Sequence, residues 1–236
     1  MRIAVWSGPR NLSTAMMYAF GNRPDCDALD EPFYAAYLAA SGLEHPMREA
    51  VLAAQPVDPD AVAQDLACAP EDGRLRYFKL MSHHMLPGFP RGWMQGARHV
   101  FLIRHPARVV ASYAAKREQV TLADIGYVEL VELYGHAAAL GDPVVVDSAD
   151  IRRDPDRMLR CLCEAIGLQF DPAMLSWPAG PKPFDGAWAP HWYGAVHRST
   201  GFAGPDGVPP KLDGAAAEHA EKAMAYYEEL HALRLA

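Results

Sequence analysis

What this chain has little of narrows its function first. Only four cysteines occur in 236 residues: Cys26, Cys68, Cys161 and Cys163. Cys161 and Cys163 lie two apart in a helical stretch and point in different directions, which makes them poor joint metal ligands. Four thiols in a chain of this size are not a disulfide framework either, so the expectation is a reducing, cytoplasmic setting. There is no surplus of positive charge: 22 Lys and Arg stand against 29 Asp and Glu, a net charge of −7. That balance argues against a nucleic-acid surface, whose footprint is a basic stripe, but it leaves room for a locally basic pocket around a small anion. Long hydrophobic runs are missing too. The opening Met-Arg-Ile-Ala-Val-Trp meets polar Ser7 and Gly8 too soon for a signal peptide, and no stretch approaches a membrane span. The expected partner is a small molecule, with no nucleic acid and no membrane; oligomeric state leaves no signature. No internal repeat or low-complexity linker divides the chain, so 1–236 reads as one domain.

What is there is an alternation of short apolar runs with helical segments. Strands are expected at 3–6, 26–29, 76–81, 99–103 and 144–146. Helices are expected from Ser13 through about Gly21 and at 33–40, 59–67, 106–116, 122–140, 154–166 and 214–235. This order implies a three-layer α/β/α fold with a mainly parallel central sheet, and ligands in such folds bind beyond the carboxyl ends of the strands. The stretch 175–212 differs: it is rich in Pro and Gly and carries Trp177, Trp188, Trp192 and Tyr193. A long aromatic loop is more often functional than filler, as an acceptor pocket or lid, although plain packing of the loop onto the domain explains the tryptophans equally well. Arg108, Arg117, Arg152, Arg153 and Arg157 read as solvated helix faces.

The first strand runs into Ser7-Gly8-Pro9-Arg10-Asn11-Leu12-Ser13-Thr14. A strand, a Gly-containing loop and a helix start together aim free backbone N–H groups and the positive helix end at an anion. Arg10 adds a forked donor, and Ser13 and Thr14 can cap the helix or bond phosphate oxygens. The loop is P-loop-like in layout, but no Gly-Lys precedes Ser13 as a nucleotide kinase requires. A second unit, Val100-Phe-Leu-Ile-Arg104-His-Pro106-Ala-Arg108-Val-Val-Ala-Ser112, is a strand ending in Arg, a Pro opening a helix, and a Ser two turns on.

In these two motifs the chain resembles the sulfotransferases that use 3′-phosphoadenosine 5′-phosphosulfate (PAPS). Those enzymes place a phosphosulfate loop after the first strand and an Arg-x-Pro-x-x-x-x-x-Ser unit on the cofactor's 3′-phosphate. The resemblance assigns residues 8–14 to the first role and Arg104 and Ser112 to the second. His197-Arg198-Ser-Thr-Gly201 is similar to the family's late loop that closes over the 3′-phosphate, which adds Arg198 and Gly201. Bacterial and plant sulfotransferase-like proteins with the run Ser-Gly-Pro-Arg-Asn-x-Ser-Thr and a following Asp-Glu-Pro are similar over nearly the whole chain. Some of them bear a branched-chain aminotransferase label, for which no pyridoxal-binding context is visible around Lys79, Lys116 or Lys182. Many sulfotransferases have Lys where Arg10 stands and Gly where Leu12 stands.

Sulfuryl transfer needs positive charge on the leaving phosphate, in-line geometry and a base for the acceptor, and it does not require a metal. Three residues are candidate bases. Glu31, in Asp-Glu-Pro after the second strand, matches a Glu that some bacterial sulfotransferases use; it also reads as a turn carboxylate or a partner for Arg10. His83 and His84 follow the third strand, roughly where the cytosolic enzymes carry a catalytic His. Adjacent histidines are expected to point apart, with at most one in the site. Lys79 reads either as a phosphate ligand or as a strand-edge lysine facing solvent. Two rival functions stand: a P-loop kinase or phosphotransferase, for which Asp147 is the lone candidate Mg²⁺ acid, and a nucleotide-binding protein without catalysis.

Overall fold

The computed structural model describes residues 1–70, 73–114 and 121–236. Five strands, β1 (Arg2–Ser7), β2 (Cys26–Asp30), β3 (Leu75–Met81), β4 (Arg98–Ile103) and β5 (Val144–Asp147), form one sheet in the order β2-β3-β1-β4-β5. Every pairing is parallel; in register, Val5 faces Lys79 on one side and Val100 on the other. Parallel strands need crossovers and are buried on both faces, which is why β1, β4 and β5 appear in the sequence as short apolar runs; the edge strand β2, Cys-Asp-Ala-Leu-Asp, is only partly buried. Alternate residues of β1 divide between the two faces: Ile3 and Val5 pack into one core and Ala4 and Trp6 into the other.

Helices α1 (Ser13–Gly21), α2 (Tyr34–Ser41) and α3 (Arg48–Ala54) cover the first face, joined later by α9 (Pro155–Ala165). The opposite face carries α4 (Pro59–Ala67), α5 (Pro106–Ala114), α6 (Leu122–Ile125) and α7 (Tyr127–Ala138), and α12 (Gly214–His231) packs along α5. Between β5 and α9 lies α8 (Ser148–Arg153), capped by the Asp147 carboxylate, which accepts from the Ala149 amide. The chain end returns to the sheet edge, where Leu235 N donates to Val145 O at 2.9 Å.

Three expectations are corrected. The single helix at 122–140 is two, α6 and α7, because Gly126 takes a left-handed φ of +67° between them. Gly126 is also too close to Ser82 for a side chain, since a Cβ there would lie 2.5 Å from Ser82 Oγ. Outside 175–212, two helices were not expected at all, α3 and α8. The stretch 175–212 holds two single-turn helices, α10 (Ala189–Trp192) and α11 (Gly194–His197), and it packs onto the domain through buried Trp177 and Trp188. The end of the 106–116 helix beyond Ala114, with Lys116 and Arg117, lies outside the described residues.

Candidate functional site

Most of the candidate residues lie where the strands stop. The carboxyl ends of β1, β2, β3 and β4 open into a cavity of about 310 Å³, roofed by α10 and α11 from the late loop. Pro9 through Ala15, Glu31, His83, His84, Arg104 and Gly201 line it.

The loop after β1 is shaped by backbone, not by side-chain capping. Arg10 and Leu12 have left-handed φ values of 63° and 69°, and Leu12 is the N-cap of α1 with no side-chain cap bond. Ser13 is therefore already inside the helix, which corrects its expected role as a cap. The first amides of α1 lack intrahelical partners and carry the helix's positive end. Gly8 sits against the backbone of α6: a Cβ there would be 2.2 Å from Ile125 O. Asn11, fully buried, donates to Leu102 O at 3.3 Å and ties the loop to β4. Left-handed backbone at non-glycine residues is strained and clusters at functional sites; Glu31 shares it, with a φ of 42°.

Arg10 and Arg104 meet here. Arg10 Nε donates to Ser112 Oγ at 2.9 Å and Arg104 Nη1 donates to Arg10 O at 2.9 Å, so the loop and the β4–α5 unit form one connected structure. Burial and then the nearby Arg104 charge lower the pKa of Arg10. Arg10 has no carboxylate partner among the described residues, an arrangement suited to an external anion. Arg104 is different. It faces Asp206 at 3.2 Å, and Arg108 (3.7 Å) and Arg152 converge on the same carboxylate. The reading of Arg108 and Arg152 as solvated faces is corrected: their side chains are only 14% and 18% exposed. Arg153 and Arg157 are exposed as expected. Arg198 is exposed as well and does not line the cavity, whereas Gly201 does.

The second half of the cavity holds a buried ionic cluster. Lys79 Nζ donates to Asp30 Oδ1 (2.9 Å), to Glu31 Oε1 and to Tyr193 OH (2.8 Å). Lys79 is 1% exposed, so it is neither at a sheet edge nor facing solvent; β3 is flanked by β2 and β1, and the carboxylates of β2 reach it from beside. Burial alone would lower the Lys79 pKa, but Asp30 and Glu31 outweigh it and hold the lysine above its ordinary value. Tyr193 donates to Asp30 and accepts from Trp188 Nε1 at 3.0 Å. Gly186 N also donates to Asp30, at 3.0 Å. With Lys79, Tyr193 and Gly186 all on Asp30, this carboxylate is fully engaged, and the cluster holds one cation for two acids. Glu31 is the surplus acid. Burial raises its pKa, and the Asp30 charge adds to that while Lys79 opposes it.

His83 and His84 both line the cavity, their ring centroids 4.5 Å apart, so the expectation that only one reaches the site is corrected. The reason is the 3-10 turn Ser82–His84: its three residues per turn bring neighbours closer in direction than the two-residue period of a strand. His84 stacks between Tyr34 and Tyr37 at 4.6 and 4.7 Å, with Nδ1 3.9 Å from Glu31 Oε2. Burial, reinforced by His83, drives its pKa well below the usual histidine value, so it is a neutral ring at pH 7. Of the tryptophans, Trp188 and Trp192 line the cavity, while Trp177 packs in the core against Tyr18 and Phe202. Asp30, Tyr193 and Asp206 are site residues the sequence reading missed. Asp30 was visible in the Asp-Glu-Pro motif and Tyr193 in the aromatic stretch 175–212, though neither was given a site role; nothing local marked Asp206.

Fold and cavity together define a P-loop-like α/β protein with a basic loop facing a buried carboxylate. The chain belongs to the sulfotransferase domain family, whose model matches residues 1–234. In fold it is similar to the sulfotransferase domain from the Synechococcus PCC 7002 olefin synthase (20% identity, 94% of each chain, TM-score 0.50). It is likewise similar to the sulfotransferase domain from the curacin biosynthetic pathway (15% identity, 95% of this chain and 97% of that one, TM-score 0.54). By sequence it is similar to branched-chain-amino-acid aminotransferase-like protein 2 of Arabidopsis thaliana, 38% identical over 208 residues, and to protein 1 of that name, 39% over 205. These alignments cover 88% and 86% of this chain, which spans only 37% of the length of either relative. No group of three or more His, Cys, Asp or Glu among the described residues could hold a metal ion. No described helix is long and apolar enough to cross a membrane.

Proposed function

We propose that this chain transfers a sulfuryl group from PAPS to a hydroxyl or amine of a small acceptor. The observation that carries the reading is the coupling of two cationic positions in one cavity. Arg10 with the α1 amides makes one, Arg104 the other, and Ser112 and the Arg10 carbonyl join them. Two linked anion positions suit a nucleoside bearing both a 5′ and a 3′ group. The residues fit such a donor: Arg10 lacks a carboxylate partner among the described residues, and Arg104 Nε is buried without a hydrogen-bond partner among them.

In this reading residues 8–14 hold the 5′-phosphosulfate and Arg104, Ser112 and Gly201 hold the 3′-phosphate end. Glu31 is the base. Lys79 fixes its Oε1, leaving Oε2 to take the acceptor's proton as the acceptor oxygen or nitrogen bonds to sulfur. The bond from sulfur to the bridging oxygen breaks, and Arg10 and the helix amides neutralise the charge left on the 5′-phosphate. A carboxylate whose pKa is raised toward the working pH is a better base than an ordinary one, provided it is ionised. Neutral His84 borders Glu31 and can shape the acceptor side. Trp188 and Trp192 form the lid that excludes water from the phosphosulfate.

Thermal unfolding with added nucleotides tests the reading. Adenosine 3′,5′-bisphosphate without metal is expected to stabilise the protein, by roughly 2.7 kcal/mol at a hundred-fold excess over its dissociation constant, and ATP to do little. Mg²⁺-dependent stabilisation by ATP alone would favour the kinase reading instead.

A further inference from the structure

Asp206 stands on the stretch 203–211, Ala-Gly-Pro-Asp-Gly-Val-Pro-Pro-Lys, which has no helix or strand and is exposed apart from Asp206 itself. Val208 is 90% exposed. Few interactions secure this strap. Arg152 Nε donates to Gly204 O at 2.8 Å, Arg108 Nη2 donates to Gly207 O, and Arg104, Arg108 and Arg152 face the Asp206 carboxylate. Among the described residues, the hydrogen bonds that hold 203–211 all come from these three arginines.

The charges do not balance. Three guanidinium groups from α5, α8 and the end of β4 surround one carboxylate, and Arg104 Nε stays unpartnered among the described residues. An aspartate offers one negative charge and two oxygens. A phosphate monoester carries about −1.5 to −2 at pH 7 with three acceptor oxygens, and forked guanidinium donors match it well. The site is better matched to a phosphate than to the group that fills it.

We propose that Arg104, Arg108 and Arg152 form a phosphate-binding triad that Asp206 plugs when no ligand is bound, and that the donor's 3′-phosphate displaces it and frees the strap. Two arginines outside the motif residues thereby join the donor site, and Asp206 becomes an internal competitor that sets apparent affinity. The proposal rests on the reading that the cavity takes a nucleotide with a 3′-phosphate. Competition of this kind lowers apparent affinity by the fraction of molecules in the open state. Removing the carboxylate removes that penalty.

The test is calorimetric titration of the full chain and its Asp206→Asn variant with adenosine 3′,5′-bisphosphate and with adenosine 5′-monophosphate, which lacks the 3′ group. Asp206→Asn is expected to tighten the bisphosphate on the order of tenfold and to leave the monophosphate unchanged. Equal or weaker bisphosphate binding by the variant would overturn the plug while leaving the donor assignment intact. Failure of both proteins to distinguish the bisphosphate from the monophosphate would overturn the 3′-phosphate site and the plug together. Limited proteolysis of the unmodified protein gives a readout that needs no variant. Tryptic cleavage after Lys211 is expected to speed up when the bisphosphate is added; unchanged or slower cleavage contradicts displacement.

Discussion

At the scale of the residue, the proposed chemistry turns on one carboxylate. Lys79 shares one buried positive charge between two acids, and Asp30 also accepts from Tyr193 and Gly186. Glu31 is left with a raised pKa. Two consequences follow for pH. A base works only when ionised, so kcat/KM is expected to rise with pH through a midpoint above the ordinary glutamate value; a flat profile, or one that falls over this range, would remove Glu31 from the role. Stability runs the other way. Folded Glu31 keeps its proton at pH values where the unfolded chain has lost it, so its contribution to stability falls as pH rises from the ordinary carboxylate range to its raised folded value. Lys79→Met leaves Asp30 without its cation. Loss of one partner from a buried pair costs about 3–5 kcal/mol, and chemical denaturation should show it; a loss below about 1 kcal/mol would mean the cluster is held by Tyr193 and Gly186 instead.

At the scale of the element, the loop between β1 and α1 depends on how closely α6 approaches it. Gly8→Ala places a methyl 2.2 Å from the Ile125 carbonyl, and backbone cannot move aside as a flexible side chain can. The expected outcome is a stability loss of about 1–3 kcal/mol with a larger fractional loss of bisphosphate affinity, measured by denaturation and titration together. Unchanged affinity would show that the loop tolerates displacement and does not set the anion position. The elements themselves were readable to different degrees. β1, β4 and β5 showed in the sequence because strands buried on both faces carry apolar runs, whereas β2 and β3 include charged residues and were legible only from the shorter apolar stretches within them. α6 and α7 merged into one expected helix because the apolar period continues across Gly126, whose left-handed φ breaks the backbone without breaking the pattern. α10 and α11, one turn each, are too short to carry a period at all. Of the two roles open to Ser13, cap or phosphate ligand, its residue type suits the first, yet the chain enters α1 through a left-handed Leu12.

For the whole molecule, the sheet order gathers groups that lie far apart in the chain. Arg10 meets Ser112 and Arg104 because β1 and β4 are neighbours; Glu31 meets Lys79 because β2 lies beside β3. The residues within motifs were legible for that reason: a strand, its end and the following helix are contiguous in sequence, and strand ends converge in any parallel sheet. Tyr193 reaches Asp30 across 163 positions and Asp206 reaches Arg152 across 54, and no local signal encodes such meetings. The net charge of −7 also concealed the arginine cluster, because composition averages over surfaces that a fold separates.

The central claim is that this cavity moves a sulfuryl group with Glu31 as base, and one measurement addresses it most directly: formation of adenosine 3′,5′-bisphosphate from PAPS, followed chromatographically for the wild-type protein and for Glu31→Gln, with water or an added hydroxyl compound as acceptor. Wild-type protein is expected to release the bisphosphate faster than buffer alone, and Glu31→Gln to slow release on the order of 10²–10⁴-fold while binding the bisphosphate as tightly as wild type. Full turnover by Glu31→Gln would contradict the account, as would wild-type protein that binds the bisphosphate yet leaves PAPS intact with every acceptor offered.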